Sequence, residues 1–290
     1  MKNIEEINYA VFILTHGRPN NVITYKTLRK LGYKGKIYLI IDSDDKTKDV
    51  YLDKFKGEVI VFDKKDYHGK FDVMDNLDND KVIVYARNAV YDIARSLNLD
   101  YFFEYEDDYT AFFYRYEDNN VLRSIPLKPI NKLFEYFIEF METTPTHSLA
   151  LAQGGDLIGG VGSLKNNNYK RKAMNSFIFK VNKDKSDDIL FLGRMNDDVN
   201  MFLNYGKRGY LFFQIAYAHL CQLQTQKQKS GNSDVYIKLG TYTKSFYSVV
   251  IEPSCCKVYE MGSSEKRIHH SIKWINAVPC IIEEKYKKYA

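Results

Sequence analysis

The stretch Tyr101-Phe102-Phe103-Glu104-Tyr105-Glu106-Asp107-Asp108-Tyr109 constrains this chain more than any other. Its aromatic part alternates poorly with polar residues, which predicts a strand buried on both faces of a sheet. Such a strand delivers Glu106, Asp107 and Asp108 to its carboxyl end, where open α/β sheets bind ligands. Three adjacent negative charges repel unless a cation neutralises them, so a hard divalent ion is a natural partner. A carboxylate-held Mg²⁺ or Mn²⁺ in turn typically carries a phosphate-bearing substrate. A solvated acidic turn is the plainer alternative for the same triplet.

The segments around this stretch alternate between strand and helix. Tyr9 to Leu14 is an apolar run bounded by Thr-His-Gly-Arg-Pro, a buried strand followed by a loop. A helix is expected over 22–31, a strand over 36–41 ending in Asp42-Ser43-Asp44-Asp45, a short helix over 46–55 and a strand over 58–62. Residues 63–81 are polar and aperiodic, either an active-site loop or a disordered one. A helix over 82–97 carries Ala86-Arg87-Asn88-Ala89. Residues 112–123 read as a hairpin, Pro129 opens a helix to about 143, and 149–153 and 175–181 are strands. Asn196-Asp197-Asp198 leads into a helix ending near 206, and a strand over 210–216 ends near His219. The pattern is α/β, with a catalytic domain over 1–225 and a carboxyl-terminal extension over 226–290 packed on it.

Charge is unevenly placed. The net +5 lies entirely in residues 226–290, which hold 11 Lys and Arg against 6 Asp and Glu. A neutral body with a basic end suits a polyanion such as DNA, and equally a solubilising tail. No window approaches the roughly 20 apolar residues of a membrane span. The first residues do not resemble a signal peptide, and Cys221, Cys255, Cys256 and Cys280 lack zinc-type spacing, so free thiols in a reducing cytoplasm are expected. The glycines at 154, 155, 159, 160 and 162 match neither a dinucleotide fingerprint nor a P-loop, leaving an acceptor-site loop or ordinary turns.

The order of motifs resembles the GT-A class of nucleotide-sugar glycosyltransferases. By that resemblance Thr15, Arg18 and Asp42 lie near the base and ribose of the donor, with His16 adjacent and Asp107 grouped with them. Arg87 lies near the diphosphate or braces the acidic loop. Glu106 and Asp108 are the outer members of a metal motif, in which Glu replaces the usual first Asp. His219 stands where such enzymes supply a later metal ligand, although a lone histidine is commonly structural.

A closer likeness covers nearly the whole chain. The strings beginning at Phe12, Glu106 (Glu-Asp-Asp-Tyr-Thr), Asn196 (Asn-Asp-Asp-Val-Asn) and Gly240 look like the TET-associated glycosyltransferase family. So do Pro253-Ser-Cys and His269-His270-Ser-Ile-Lys-Trp. The resemblance implies a bacteriophage enzyme, acting in the infected bacterial cytoplasm, that puts sugars on oxidised pyrimidines in DNA. It also implies a nucleotide-sugar donor, with a UDP-sugar favoured, and Mn²⁺ or Mg²⁺.

The chemistry can be argued separately. Breaking the sugar–phosphate bond builds negative charge on the departing diphosphate, which a divalent ion and nearby bases stabilise. The acceptor hydroxyl is a poor nucleophile near neutral pH and needs a carboxylate to take its proton. Asp197 and Asp198 are candidates, although acids in a first helical turn also simply complement the helix dipole. With the resemblance added, Asp198 is the base and Asp197 orients the acceptor. His269, His270 and Lys273 are candidates for contact with acceptor phosphates, and Trp274 for core packing or base stacking. Two rival readings keep less: a glycosyltransferase acting on a protein, glycan or metabolite, and a nucleotide-binding module without turnover.

Overall fold

The computed structural model describes residues 4–77, 80–153, 160–162, 175–223, 240, 242–262 and 266–278. Expectations that fall on Gly154, Gly155, Gly159, Cys280 and residues 226–239 and 279–290 of the basic carboxyl end therefore lie outside the described residues. Strands β1 (Tyr9–Leu14), β2 (Lys36–Asp42), β3 (Val59–Phe62) and β4 (Tyr101–Glu106) are parallel and stand in the order β3-β2-β1-β4. Helices α1 (Ile23–Lys30), α2 (Lys48–Phe55) and α3 (Val84–Ser96) connect them. The chain steps outward from β1 to β3 and then returns through α3 to β4, on the other side of β1. The carboxyl ends of β1 and β4, paired at Leu14 and Glu106, are thus the point where the winding reverses. Crevices form there because the flanking connections diverge.

The remaining strands are β5 (Tyr109–Asp118), β6 (Val121–Pro126), β7 (Thr146–Gln153), β8 (Ser176–Lys180) and β9 (Leu211–Gln222). They extend the sheet beyond β4 in the order β8-β7-β9-β5-β6, mostly antiparallel. Asn119 and Asn120, both in the left-handed region, make the tight β5–β6 turn. Helices α4 (Ile130–Thr143) and α5 (Asp197–Gly206) flank the sheet. This is the mixed α/β sheet between helices expected of a GT-A-like chain.

Only Asp107 and Asp108 separate β4 from β5, although the two strands stand four places apart in the sheet order. Three Cα steps reach about 11 Å at most, whereas four strand spacings cover about 19 Å. The sheet must therefore fold back on itself, and β9 is where it does. Its first half pairs with β7 up to Leu151↔Ile215, then the register jumps to Ala152↔His219, and the second half runs along β5. The fold-back brings the start of β5 over α1, where Thr24 Oγ1 accepts from Tyr109 N at 2.8 Å.

Strand β4 is buried on both faces because each face has its own core. Tyr101, Phe103 and Tyr105 pack with α1 and α4, while Phe102 faces α3 with Tyr91 and Phe179. The two-residue period puts Glu104 and Glu106 on the same side as Phe102, toward α3. The described carboxyl-terminal part consists of α6 (Lys244–Ile251), a hairpin of β10 (Cys256–Met261) and β11 (Arg267–Ile272), and the short α7 (Trp274–Ala277). Trp274 is half-buried with its ring edge-on to Phe202 of α5, a packing position. Among the described residues no helix is long and apolar enough to cross a membrane.

Candidate active site

The candidate site is built around a guanidinium. Arg87 is only 1% exposed. Its Nη1 donates to Glu104 Oε1 at 2.5 Å, its Nη2 to Glu106 Oε1 at 2.6 Å, and its Nε lies 2.6 Å from Asp197 Oδ2. Phe177 and Phe191 cover its faces. The next residue fixes the helix in place: the Asn88 amide accepts from Phe191 N (2.8 Å) and donates to Phe191 O (3.0 Å), as a neighbouring strand would. Arg87 reaches no open space, so of its two expected roles the geometry is that of the brace.

One positive charge here faces more than one negative. Glu104 is fully buried, and burial pushes its carboxyl up to about 7 despite Arg87. Glu106 is pushed up to about 8 by burial, with the nearby charges of Asp108, Asp198 and Asp197 adding to it. Asp197 is pushed up to about 6 by burial and by the neighbouring Asp198. Asp108 is also raised, to about 6, by burial and then by Asp107, and its Oδ1 is buried with no hydrogen-bond partner among the described residues. Carboxyls raised together in this way want either protons or a cation.

Glu106 and Asp108 fit a divalent ion on that ground. A Mg²⁺-type ion that arrives with phosphate oxygens and water needs only one or two protein carboxylates. His219, the other expected ligand, lies within β9 rather than beyond a strand end, and its ring stacks on Phe113 with centroids 5.1 Å apart. Burial and the charge of Arg115 push it down to about 4, leaving a neutral imidazole. No three His, Cys, Asp or Glu side chains are gathered into a metal-binding group among the described residues.

The β1 side of the crevice is held by hydrogen bonds. Thr15 Oγ1 donates to Asp107 Oδ2 (2.6 Å) and also meets Tyr51 OH (2.9 Å), while Arg18 Nη1 donates to Asp107 Oδ1 (2.8 Å). Asp107 is buried and its main-chain carbonyl accepts from Ile23 N and Thr24 N, so the middle acid ties the acidic turn to the loop after β1. Asp45 Oδ2 accepts from Gly17 N (2.7 Å) and lies 3.5 Å from His16 Nδ1, a contact between the loops after β1 and β2. Asp42 pairs with the buried Lys64 at 3.0 Å. Thr15, His16, Arg18, Asp42 and Asp107 are thus all placed around the ends of β1, β2 and β4.

Asp198 starts α5 beside this cluster, half-buried, and accepts from Val199 N at 2.8 Å. The turn before it is drawn in by Asn200, whose amide donates to Leu192 O and Met195 O, both at 3.0 Å. A Cβ on Gly193 would collide with the Asn200 amide, and its φ of +83° also favours glycine. The polar 63–81 segment is tied to the same turn. Gly193 N and Arg194 N donate to Asp72 O and Val73 O, and Arg194 makes a two-pronged pair with Asp75 that Tyr247 of α6 joins.

Of the expected acceptor contacts, Lys273 is exposed and His269 half-buried, with His269 Nδ1 donating to His270 O at 2.8 Å. His270 instead turns toward α5, its Nδ1 lying 3.3 Å from Asn196 Nδ2. Sequence reasoning passed over Glu104, Asn88, Asn200 and the Asp75–Arg194 pair. The signal for Glu104 was present, as a lone acid two residues before Glu106 in an aromatic strand.

A cluster of acids at the winding reversal of an α/β sheet, with a second acid pair at a helix start, stands where α/β enzymes carry their sites. The chain belongs to the TET-associated glycosyltransferase family, whose model matches residues 9–231, and is accordingly a glycosyltransferase. No curated protein matches it in sequence. Among solved structures it is similar to glucosyl-3-phosphoglycerate synthase from Mycobacterium tuberculosis in complex with Mn²⁺, UDP and phosphoglyceric acid. There the identity is 8%, the coverage 92% of this chain and 88% of that one, and the TM-score 0.48. It is also similar to residues 1–349 of TarS from S. aureus in complex with UDP-GlcNAc, at 10% identity, 84% and 66% coverage and a TM-score of 0.47. Likeness this distant says nothing about what this chain binds.

Proposed function

We propose that the chain transfers a sugar from a nucleotide-sugar, a UDP-sugar in the first instance, to a hydroxymethylated pyrimidine of the 5-hydroxymethylcytosine type in double-stranded phage DNA. The observation that carries the reading is the excess of buried carboxylate over guanidinium around Arg87, in a chain of a glycosyltransferase family. Mn²⁺ or Mg²⁺ held by Glu106 and Asp108 would supply Lewis-acid stabilisation of the diphosphate leaving group. Thr15, His16, Arg18 and Asp42 line the donor nucleoside, and Asp107 holds Thr15 and Arg18 in position for it. Arg87 keeps Glu106 and Asp197 in fixed relation. Asp198 takes the proton from the acceptor hydroxyl as the sugar carbon is attacked, and Asp197 orients that hydroxyl. His219 is read as packing.

The carboxyl-terminal segment supplies the acceptor side in this reading, with Lys273 and His269 toward DNA phosphates. Contacts of that kind weaken steeply with salt. The major groove exposes the pyrimidine 5-position, so the base is reached with local distortion or flipping. The test is a sugar-nucleotide panel with Mn²⁺, using DNA with and without 5-hydroxymethylcytosine, read by nucleoside mass spectrometry. A mass gain on the modified base alone supports the reading. Donor hydrolysis without transfer to DNA points to a protein, glycan or small-molecule acceptor. No turnover with any donor overturns it in favour of a nucleotide-binding module.

A further inference from the structure

Asn196 sits immediately before Asp197 and Asp198 in the left-handed region, with φ 55° and ψ 31°. An asparagine at a helix start ordinarily turns its side chain onto a nearby backbone amide, which stabilises the helix by about 1 kcal/mol. Asn196 makes no such cap. Its amide instead reaches out of the helix to three acceptors distant in sequence. These are Lys244 O at 2.9 Å, Ser248 Oγ at 3.3 Å and His270 Nδ1 at 3.3 Å. The Ser248 hydroxyl donates in turn to Asn200 Oδ1 at 2.9 Å, and both Ser248 and Asn200 are fully buried. A local contribution to helix stability has been given up for a long-range tie.

The tie has a geometrical effect. The first turn of α5 is gripped on one side by Arg87 through Asp197 and on the other by α6 and β11 through Asn196 and Asn200. Asp198 follows Asp197 directly, so its backbone belongs to a turn that is held from both sides. His270 suits its part in the grip, because burial and then the charges of His269 and Lys244 hold its ring neutral, with a pKa near 4. A neutral ring offers Nδ1 as an acceptor. Apolar side chains would pack the α5–α6 contact at lower desolvation cost, so the buried polar groups are explained by direction rather than by stability.

We propose that Asn196 and Ser248 are positioning residues that aim Asp198 at the acceptor, so that the carboxyl-terminal helix α6 completes the active site. This rests on the reading of Asp198 as the base. The substitutions to compare are Asn196→Gly, which keeps the left-handed backbone while removing the amide, and Ser248→Ala. Expected for each is a fall in kcat of about 10- to 100-fold, the range in which small misplacements of a reacting group act. KM for the donor and metal-dependent donor affinity should stay within about twofold, since the hydrogen bonds of both residues run to α5, α6 and β11 and not to the acidic turn. The double variant should fall no further than the worse single one, because both act through one contact. Equal loss of kcat and donor affinity, or additive losses in the double variant, would overturn the proposal.

Hydrogen exchange of the 195–200 amides, measured on the same proteins, separates this outcome from failure of the functional reading. If the wild type transfers no sugar to hydroxymethylated DNA, the assignment of Asp198 as base falls. Faster exchange in that segment, with the β1–β4 amides unchanged, would still support the tie. Unchanged exchange in both single variants would sink it.

Discussion

Arg87 Nε lies 2.6 Å from Asp197 Oδ2. Through that contact and the pairs with Glu104 and Glu106, one side chain on α3 joins the strand carrying the acidic triplet to the helix carrying the second acid pair. The end of β4 and the first turn of α5 therefore share a single fitting. A guanidinium suits it because its rigid planar fork spreads five donors over three nitrogens, whereas an ammonium offers three from a single rotatable nitrogen.

Removing that fitting leaves buried negative charge uncompensated. Arg87→Met should destabilise the fold by about 3–5 kcal/mol, as expected for breaking a buried ion pair from one side. Adding Glu104→Gln should restore part of the loss, because the interior then carries one charge fewer. Urea unfolding of the three proteins measures both effects, and a double variant no more stable than Arg87→Met would refute the charge argument.

The raised carboxyls make metal-free stability depend on pH in a stated direction. Glu106 is raised to about 8, Glu104 to about 7 and Asp108 to about 6, above ordinary values of 4.5, 4.5 and 3.8. Between those limits the folded chain binds more protons than the unfolded one, so its stability falls as pH rises. Thermal melts of the metal-free protein from pH 5 to pH 8 should show a declining midpoint. Mn²⁺ should raise the midpoint most at the upper end, where the carboxylates are free of protons.

Asp108 Oδ1 is buried with no hydrogen-bond partner among the described residues. Asp108→Asn should abolish metal-supported sugar transfer, by at least about 100-fold, while retaining most DNA binding. Transfer assays across a Mn²⁺ titration, beside DNA retention measured at one fixed salt, separate the two. Full activity in this variant would remove Asp108 from the metal site.

Asp198→Asn should lower kcat by about 10²- to 10⁴-fold, the usual worth of a positioned general base. Donor affinity, measured by calorimetry with Mn²⁺, should be nearly unchanged. A similar loss in affinity would mean that Asp198 belongs to the donor side.

Much of the sheet was legible because its signals are local. The six apolar residues of β1, the aromatic run of β4 and the Asn-Asn turn of the hairpin each specify their own conformation. The acids were legible for the same reason, since adjacent like charges need an explanation wherever they occur. What joins them was not. Arg87 stands 17 residues from Glu104 and 110 from Asp197, and nothing in the local pattern of α3 says which face meets them. The end of β9 was not legible either, because the strand continues past its expected end to Gln222, across a register jump that only pairing with β5 reveals.

That jump in β9 carries a consequence for how the gene can vary. Between Ile215 and His219 the strand moves four positions while its neighbour moves one, from Leu151 to Ala152. Side chains alternate sides along a strand, so losing or gaining a single codon there would exchange inward and outward residues for the rest of β9. His219 would trade places with Ala218 and Leu220, and β5, the strand that leaves the acidic turn, would meet the wrong partners. Substitutions can accumulate across this corner of the sheet, whereas odd-numbered changes in its length cannot.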